Sequence, residues 1–502
     1  MTVVDIEAQP EAGALERFTD RLNPILLKEV RQAMRGRYFK YSFWLTLTIA
    51  TLVGLSVCLV TLMDQGPGAV LGPSFFVAMF GCLVVAAQIF VPFSAFLSMG
   101  GEWDENTWDL LVLSNLRPKQ IVLGKVLSAS LQSLLFYCAF GPFLVFAFLL
   151  RGVDLTVLLS ALSLSFVLAT LLSCLAVAMS SFGRGKFARV ILMVLLAVVL
   201  VQSSVGVSVW AGAMMFNPAQ IHDKDMLMAI AGAITVGVAI AAFFFAAACA
   251  RLAHPEENRS TGLRVMALVV VASALGWLSW MMWGDVNENP LIIMPCIAIG
   301  FLFATSAFFS TEEERLGRRV ALTLPRNRIL TTLITPLLPG GARGILFFLF
   351  ASLGVCLWML IYPGLADSGF SFRGGQRWIP FVMMAYGLVY LGLPGALASK
   401  QLNTVGRRSI ARVIIVVLLL TSILVPALLG FLFHNRDWAQ FEHPGNVFMV
   451  IDALWKKPMR FSGPFITVTS IMGAVYLLNF ARIRRAFKEQ QTALANLPQL
   501  SE

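Results

Sequence analysis

Continuous apolar stretches recur along almost the whole chain and constrain its fold more than any other feature. Crossing about 30 Å of hydrocarbon takes about 20 helical residues, and twelve stretches approach or exceed that length. They are 41–63, 73–99, 126–150, 155–180, 190–210, 226–250, 265–283, 290–309, 344–363, 379–398, 413–433 and 463–481. Because their apolar residues are continuous rather than alternating, the pattern predicts helices and not a strand barrel. We therefore predict an all-α polytopic membrane protein with about 12 transmembrane helices.

Composition agrees with this fold class. Hydrophobic residues make up 58% of the chain and charged residues 13%, against about 25% charged residues in soluble domains. The net charge of +11 comes from bases in short loops, without a basic stripe among exposed aromatics, so no nucleic-acid partner is expected. The seven cysteines fall inside apolar stretches without paired spacing, which favours packing roles over disulfides or metal binding.

Lysine and arginine are distributed unevenly between alternate loops. With the N-terminus in the cytoplasm, 30 of the 38 lysines and arginines fall on the cytoplasmic side. Basic loops face the cytoplasm, so the asymmetry predicts that both termini are cytoplasmic and that the spans form two six-helix halves. The polar, acidic residues 1–22 lack a signal-peptide pattern and predict a disordered cytoplasmic tail. Residues 483–502 are predicted to form a second cytoplasmic tail.

Residues 23–40 have the pattern of a basic amphipathic helix at the cytoplasmic membrane surface. One face carries Lys28, Arg31 and Arg35, and apolar side chains mark the other (Ile25, Leu26, Val30, Ala33 and Met34). Such a helix lies in the interface with its apolar face toward the acyl chains. Two interpretations stay open, an ordinary juxtamembrane anchor and a functional surface element.

The segment 100–125, between the second and third spans, is polar and begins with acidic residues. It contains four acids and two tryptophans within eight residues (Glu102, Asp104, Glu105, Asp109, Trp103 and Trp108). Buried tryptophans anchor protein interfaces, and acids steer basic partners, so the composition favours a docking element. The alternative is a helix start stabilised by acids near its positive dipole end.

No catalytic, cofactor-binding or metal site can be assigned from the sequence. The spans lack an ionisable residue near the bilayer midplane, where proton and ion pathways normally place one. Gln88 is the most polar deep residue, and we interpret it as a helix–helix hydrogen bond. The four histidines are scattered, and residues 183–186 lack the spacing of a phosphate-binding loop. If the protein uses ATP, a partner must supply the nucleotide site.

The segment 100–125 resembles the region after the second span in ABC exporter permeases of the second type. The pattern there is roughly E-x-E-x-G-T-L-(D/E)-x-L-L-x-(S/T)-P-L, followed by an apolar-Gly-Lys return into the third span. The matching residues are Glu102, Glu105, Thr107, Asp109, Leu110, Leu111, Ser114, Leu116, Ile121, Gly124 and Lys125. Asn106, Trp108 and Asn115 depart from it.

The start of the chain resembles a bacterial branch of the same family. Residues 23–31 (NPILLKEVR) are similar to its N-P-(apolar)-x-x-K-E-(apolar)-R start, and Asn217-Pro218 matches another recurring dipeptide. The resemblance covers about residues 21–260. It implies a six-span permease domain at 23–262 in a bacterial cytoplasmic membrane, without an enzymatic activity of its own.

The resemblance also implies a partner. A separate cytoplasmic ABC ATPase, in two copies, would hold ATP and Mg²⁺ and drive export. The ATPase-coupling residues would be Glu102, Trp103, Asp104, Glu105, Thr107, Trp108 and Asp109, and the interfacial helix would contribute Lys28, Glu29, Arg31 and Arg35. Membrane lipid surrounds the chain in any of these interpretations.

The second half, residues 263–482, is interpreted as a diverged repeat of the first, with an acidic stretch (310–315) again after its second span. Such a repeat would let one chain form the transport pathway, whereas pairing with a second copy or another permease stays open. A secondary transporter and a non-transporting assembly or regulatory protein are the alternative functions. The apolar interior favours lipids, hydrophobic peptides or antibiotics as substrates over sugars or ions.

Overall fold

The computed structural model describes residues 24–65, 71–104, 118–183, 185–217, 223–253, 257–284, 286–314, 316–322, 324–325, 327–366, 372, 375–401, 404–433, 447–456 and 462–495. Within these ranges the regular secondary structure is helical, with no strand. The contacts divide the chain into two compact units, residues 1–253 and 254–502.

The first unit begins with a short helix and continues with long apolar ones. These are α1 (Pro24–Arg35), α2 (Arg37–Gln65), α3 (Gly72–Val85), α4 (Val91–Asp104), α5 (Pro118–Leu149), α6 (Leu155–Phe182), α7 (Lys186–Phe216) and α8 (Lys224–Leu252). A cluster rich in phenylalanine, including Phe76, Phe80, Phe136 and Phe140, forms its core between α3, α5 and their neighbours.

A helix is observed within the segment 23–40, which was predicted to lie at the interface, but it ends earlier than predicted. The chain breaks at Gly36, so α1 ends at Arg35 and the first span, α2, already begins at Arg37. A Cβ at position 36 would lie 3.1 Å from the carbonyl oxygen of Ala33, which is tight for any side chain and explains a glycine at the break. Tyr38 and Lys40, assigned to the interfacial helix, therefore belong to the first span.

The second span is interrupted by one π-helical turn. Residues Ala86–Phe90 form this turn between α3 and α4, which together make one continuous candidate span. A π turn rotates the side chains that follow it and occurs often at functional positions. Gln88 lies within the turn and is fully buried.

The second unit has the same helical character. Its helices are α9 (Thr261–Met281), α10 (Glu288–Phe309), α11 (Arg318–Leu322), α12 (Arg328–Ile334), α13 (Gly341–Ala366), α14 (Ile379–Gln401), α15 (Thr404–Phe433), α16 (Val447–Lys456) and α17 (Ser462–Ala495). The packing of α10 with α13, and of α14 with α17, holds the unit together. Residues 483–495, predicted as a tail, continue α17.

Ten helices of the described chain are long and apolar enough to cross a membrane. They coincide with the first ten predicted spans and confirm an all-α, multi-pass architecture. The last two predicted spans fall within α15 and α17, which are not among the ten. The count of twelve and the side of each terminus therefore stay predictions.

Candidate functional site

A buried ion cluster connects three helices at one end of the first unit. Lys125 Nζ lies 2.9 Å from Glu29 Oε1 and 3.0 Å from Glu102 Oε1. Ser98 Oγ donates to Glu29 Oε2 at 3.0 Å and accepts from Lys125 Nζ at 3.0 Å. All three donors of the ammonium group thus have an oxygen partner. We call Glu29, Ser98, Glu102 and Lys125 the inner ion cluster.

The position of each residue on its helix explains why its side chain points into the cluster. Glu29 lies on α1 within the apolar face, three residues after Leu26 and four before Ala33, so it faces the unit instead of water. Ser98 and Glu102 are four residues apart on α4 and share one face. Lys125 follows Pro118, the first residue of α5, by two helical turns. The inner ion cluster therefore fixes the interfacial helix to the ends of the second and third spans.

The side chains of the inner ion cluster are buried, so the loss of any one of them would cost much free energy. The side chain of Lys125 is 2% exposed, that of Glu29 8% and that of Glu102 11%. Transferring an ion from water into a protein interior costs several kcal/mol of desolvation free energy, and only an ion pair with good geometry and full hydrogen bonding offsets this cost. Removing one partner would leave the others buried with uncompensated charge, so the three helix ends are strongly coupled.

The predicted coupling residues have three different outcomes. Glu102, expected on an exposed docking surface, is buried because it neutralises Lys125; the exposed position assumed for it is not observed. Trp103 and Asp104 continue α4, but their side chains lie outside the described part. Glu105, Thr107, Trp108 and Asp109 lie outside the described residues altogether.

Three bases of α1 are exposed. Lys28, Arg31 and Arg35 agree in this with the amphipathic pattern, but Met34, predicted on the apolar face, is 44% exposed as well. Lys28 Nζ approaches Glu102 Oε1 to 4.0 Å, a partly exposed contact of little energetic weight. Glu29 differs from these three bases because its carboxylate points inward.

A cavity of about 220 Å³ opens beside the inner ion cluster. Glu29, Ser98 and Lys125 form one wall, and Tyr38 and Phe39 from the start of α2 form another. Polar side chains continue along it, since Ser94 Oγ donates to Gln132 Oε1 at 3.3 Å.

Gln88 makes the helix–helix hydrogen bond that its position predicts. Its Nε2 donates to the carbonyl oxygen of Ser165 on α6 at 3.4 Å. Tyr137 on α5 donates to Ser165 Oγ at 2.7 Å. These bonds join three candidate spans inside the first unit.

The second unit has its own buried ions at a comparable position, the end of its second span. Arg264 on α9 is fully buried, and its guanidinium donates to Glu312 Oε2 at 2.8 Å and to the carbonyl oxygen of Pro336 at 2.8 Å. It also binds the carbonyl oxygens of Leu338 and Gly340 and lies over the Phe309 ring, 4.9 Å from its centroid.

Two more arginines attach α17 to the same region. Arg343, fully buried at the start of α13, donates to the carbonyl oxygen of Ala486 at 2.9 Å and lies 3.5 Å from Glu489 Oε2. Arg482 donates from Nε to Glu314 Oε1 at 3.0 Å. Two of the three acids after the second span of this unit, Glu312 and Glu314, are thus held by arginines of the unit itself.

Sequence reasoning missed the inward positions of Glu29, Arg264 and Arg343. For Glu29 a signal exists, because the acid interrupts an otherwise apolar face. Arg264 and Arg343 stand at the edges of predicted spans, where basic residues normally face headgroups, so nothing in the pattern distinguishes a buried arginine from an exposed one.

Comparisons with known proteins add no assignment. Neither a protein-family model, nor a curated protein, nor a solved structure matches the chain. Among the described residues, no group of three or more His, Cys, Asp or Glu side chains is placed to hold a metal ion.

Proposed function

We propose that this chain is the membrane-spanning permease subunit of an ATP-driven ABC exporter, coupled to a separate cytoplasmic ATPase. In this proposal it crosses a bacterial cytoplasmic membrane twelve times with both termini inside, and ATP and Mg²⁺ bind in two copies of the partner. The proposal rests on the resemblance of residues 21–260 to that family. The observation that carries it furthest is the inner ion cluster.

A permease without a nucleotide site must receive its conformational work through a cytoplasmic surface. Residues 105–117 connect the end of α4 to the start of α5, the two helices that carry Glu102 and Lys125. A partner that binds this connection and moves it would pull on both helix ends. Because Glu29 binds the same lysine, the movement would reach α1 as well.

Rigid ion pairs suit this role better than apolar contacts. Separating one member of a buried ion cluster from its partners costs several kcal/mol, so the helices that it joins are expected to move together. The inner ion cluster therefore joins the three helix ends through which a cytoplasmic ATPase would act in this proposal.

Affinity purification in mild detergent tests the proposal. The wild type is compared with a Glu105→Lys/Asp109→Lys variant, which reverses two charges of the connection and leaves Glu102 and the inner ion cluster intact. A Glu256→Lys/Glu257→Lys variant, with the same charge change in another predicted cytoplasmic loop, is the matched control. Bound proteins are identified by mass spectrometry and assayed for ATP hydrolysis.

We expect the wild type and the control to retain a nucleotide-binding protein with ATPase activity, and the Glu105→Lys/Asp109→Lys variant to lose it while remaining monodisperse. Equal retention by all three chains would remove the connection from the docking surface. If cross-linked cells of the native host yield no nucleotide-binding protein with the wild type, the exporter proposal fails.

A further inference from the structure

The connection between α10 and α13 in the second unit contains a short helix, α12, whose large apolar side chains are exposed. In α12, Ile329 is 80% exposed and Leu333 76% exposed. Thr331 of α12 and Thr335, which directly follows the helix, are 4% and 0% exposed, whereas Thr332 is exposed. Helices at a water-facing surface bury apolar side chains and expose polar ones, so α12 has the orientation expected of a helix facing an apolar medium.

The buried threonines explain how this orientation is held. Gln490 Nε2 on α17 donates to the carbonyl oxygen of Thr331 at 2.6 Å, and Thr335 Oγ1 donates to Gln490 Oε1 at 2.9 Å. Thr331 Oγ1 also donates to the carbonyl oxygen of Pro325 at 2.7 Å. The polar side of α12 is thus bound to the second unit by specific hydrogen bonds, and its apolar side is fixed outward.

The depth of α12 follows from the elements to which it is tied. The chain just after it is held at Pro336, Leu338 and Gly340 by Arg264, near the start of α9. Arg264 also binds Glu312, three residues after the end of α10, and α13 begins at Gly341. Three candidate spans therefore begin or end beside the C-terminal end of α12, which places it at the level of the membrane surface.

The basic residues near α12 indicate which kind of partner binds its exposed apolar side. Residues 315–342 contain five arginines and neither aspartate nor glutamate: Arg315, Arg318, Arg319, Arg326 and Arg328. Basic residues next to exposed leucine and isoleucine are the composition of segments that bind anionic bilayer surfaces. An acidic protein surface would satisfy the arginines but would not need an apolar side at headgroup depth.

We propose that residues 316–322 and 327–334 form a lipid-binding surface in the cytoplasmic leaflet. Ile329, Leu330 and Leu333 enter the acyl-chain boundary, and the exposed Arg319 binds the phosphates of anionic phospholipids. This surface belongs to the second unit and is independent of the exporter proposal, because any multi-pass protein can be fixed in this way.

Photo-crosslinking of the full-length protein in cells tests the proposal with all natural partners present. A benzophenone amino acid replaces Leu333, and the adduct is identified by intact mass. The same replacement at Leu357, an exposed residue of α13, is the positive control for lipid. Replacement at Lys488, an exposed residue of α17 beyond the predicted span, is the control for water.

We expect phospholipid adducts at positions 333 and 357 and none at position 488. A protein adduct at position 333, whether an ATPase or a second copy of the chain, would overturn the proposal. The absence of a phospholipid adduct there, while position 357 gives one, would overturn it equally. Because Leu333 is exposed, its replacement should leave folding unchanged, which size-exclusion chromatography verifies.

The charge preference needs a separate measurement in nanodiscs of phosphatidylcholine with phosphatidylglycerol. We expect an Arg318→Gln/Arg319→Gln variant to retain roughly tenfold less phosphatidylglycerol, relative to phosphatidylcholine, by native mass spectrometry. An Arg484→Gln/Arg485→Gln variant, with equal charge loss on α17, should match the wild type. Equal loss in both variants would show that net charge alone acts and would overturn the assignment of the anionic-lipid site.

Discussion

Lys125 is expected to control the stability of the end of the first unit where α1, α4 and α5 meet, because two buried carboxylates depend on its charge. We expect Lys125→Met to destabilise the protein by about 3–5 kcal/mol, the usual result of leaving buried charges without their partner. Thermal unfolding in detergent, followed by tryptophan fluorescence, measures the loss as a lower Tm. Lys119→Met is the matched control, since Lys119 is an exposed residue of the same helix, α5.

A second variant separates the loss of ion pairing from the loss of the lysine side chain. Glu29→Gln/Glu102→Gln/Lys125→Met removes all three charges together, and buried ion clusters replaced as a whole often cost little. Its Tm should lie well above that of Lys125→Met. If the single and triple variants unfold at the same temperature, uncompensated charge is not what Lys125 prevents.

Arg264 depends on the shape of its side chain as well as on its charge. Its guanidinium donates to Glu312 and to three backbone carbonyl oxygens. A lysine ammonium cannot make all of these hydrogen bonds, because its three donors sit on a single nitrogen. Arg264→Lys should therefore cost about 2–3 kcal/mol through one or two lost hydrogen bonds in a buried site. The Tm of Arg485→Lys, an exposed substitution on α17, should stay at the wild-type value, and an equal Tm for Arg264→Lys would contradict the prediction.

At the scale of helices, α13 provides a matched pair of glycines. A Cβ at Gly344 would lie 2.6 Å from the carbonyl carbon of Phe309, at the end of α10, whereas a Cβ at Gly354 would meet no atom of the described residues within 4 Å. Gly344→Ala should separate α13 from α10 and destabilise the second unit by about 1–3 kcal/mol. Gly354→Ala should stabilise it by about 0.5–1 kcal/mol, because alanine restricts the unfolded chain.

Thermal unfolding of both alanine variants checks this pair, and their shifts in Tm should have opposite signs. The comparison is internal, since the substitution and the helix are the same. A Gly344→Ala protein as stable as the wild type would mean that α10 and α13 do not approach each other at backbone distance.

The helices differ in how far their properties could be predicted from the sequence. Hydropathy along the chain separates membrane-embedded segments from water-exposed ones, so the first ten spans and the amphipathic α1 were predictable. It carries no information about which polar residue at a helix end faces a neighbour. Glu29 and Lys125 are 96 residues apart, and only the packing of α1 against α5 brings them together. The π turn at Gln88 and the break at Gly36 likewise depend on local backbone geometry that apolar composition does not record.

For the whole molecule, the number of spans is the property most open to a direct test. The 30-residue α15 is roughly 45 Å long, at about 1.5 Å per residue, and exceeds the hydrocarbon thickness of about 30 Å. If α15 and α17 both cross, residue 440 lies outside and residue 502 inside. If the protein has only the ten spans found by length and hydropathy, residue 440 stays in the cytoplasm.

Reporter fusions in a bacterial host distinguish these topologies. A phosphatase that is active only outside the cytoplasm, fused after residue 440, should be active, and green fluorescent protein at the same place should be dark. At residue 502 the two reporters should behave in the opposite way, because the basic residues after the last predicted span retain the C-terminus inside. Fluorescence of green fluorescent protein at residue 440 would reduce the number of spans to ten and place α15 and α16 on the cytoplasmic side of the membrane. The second unit would then have four spans, so it could not be a six-span repeat of the first.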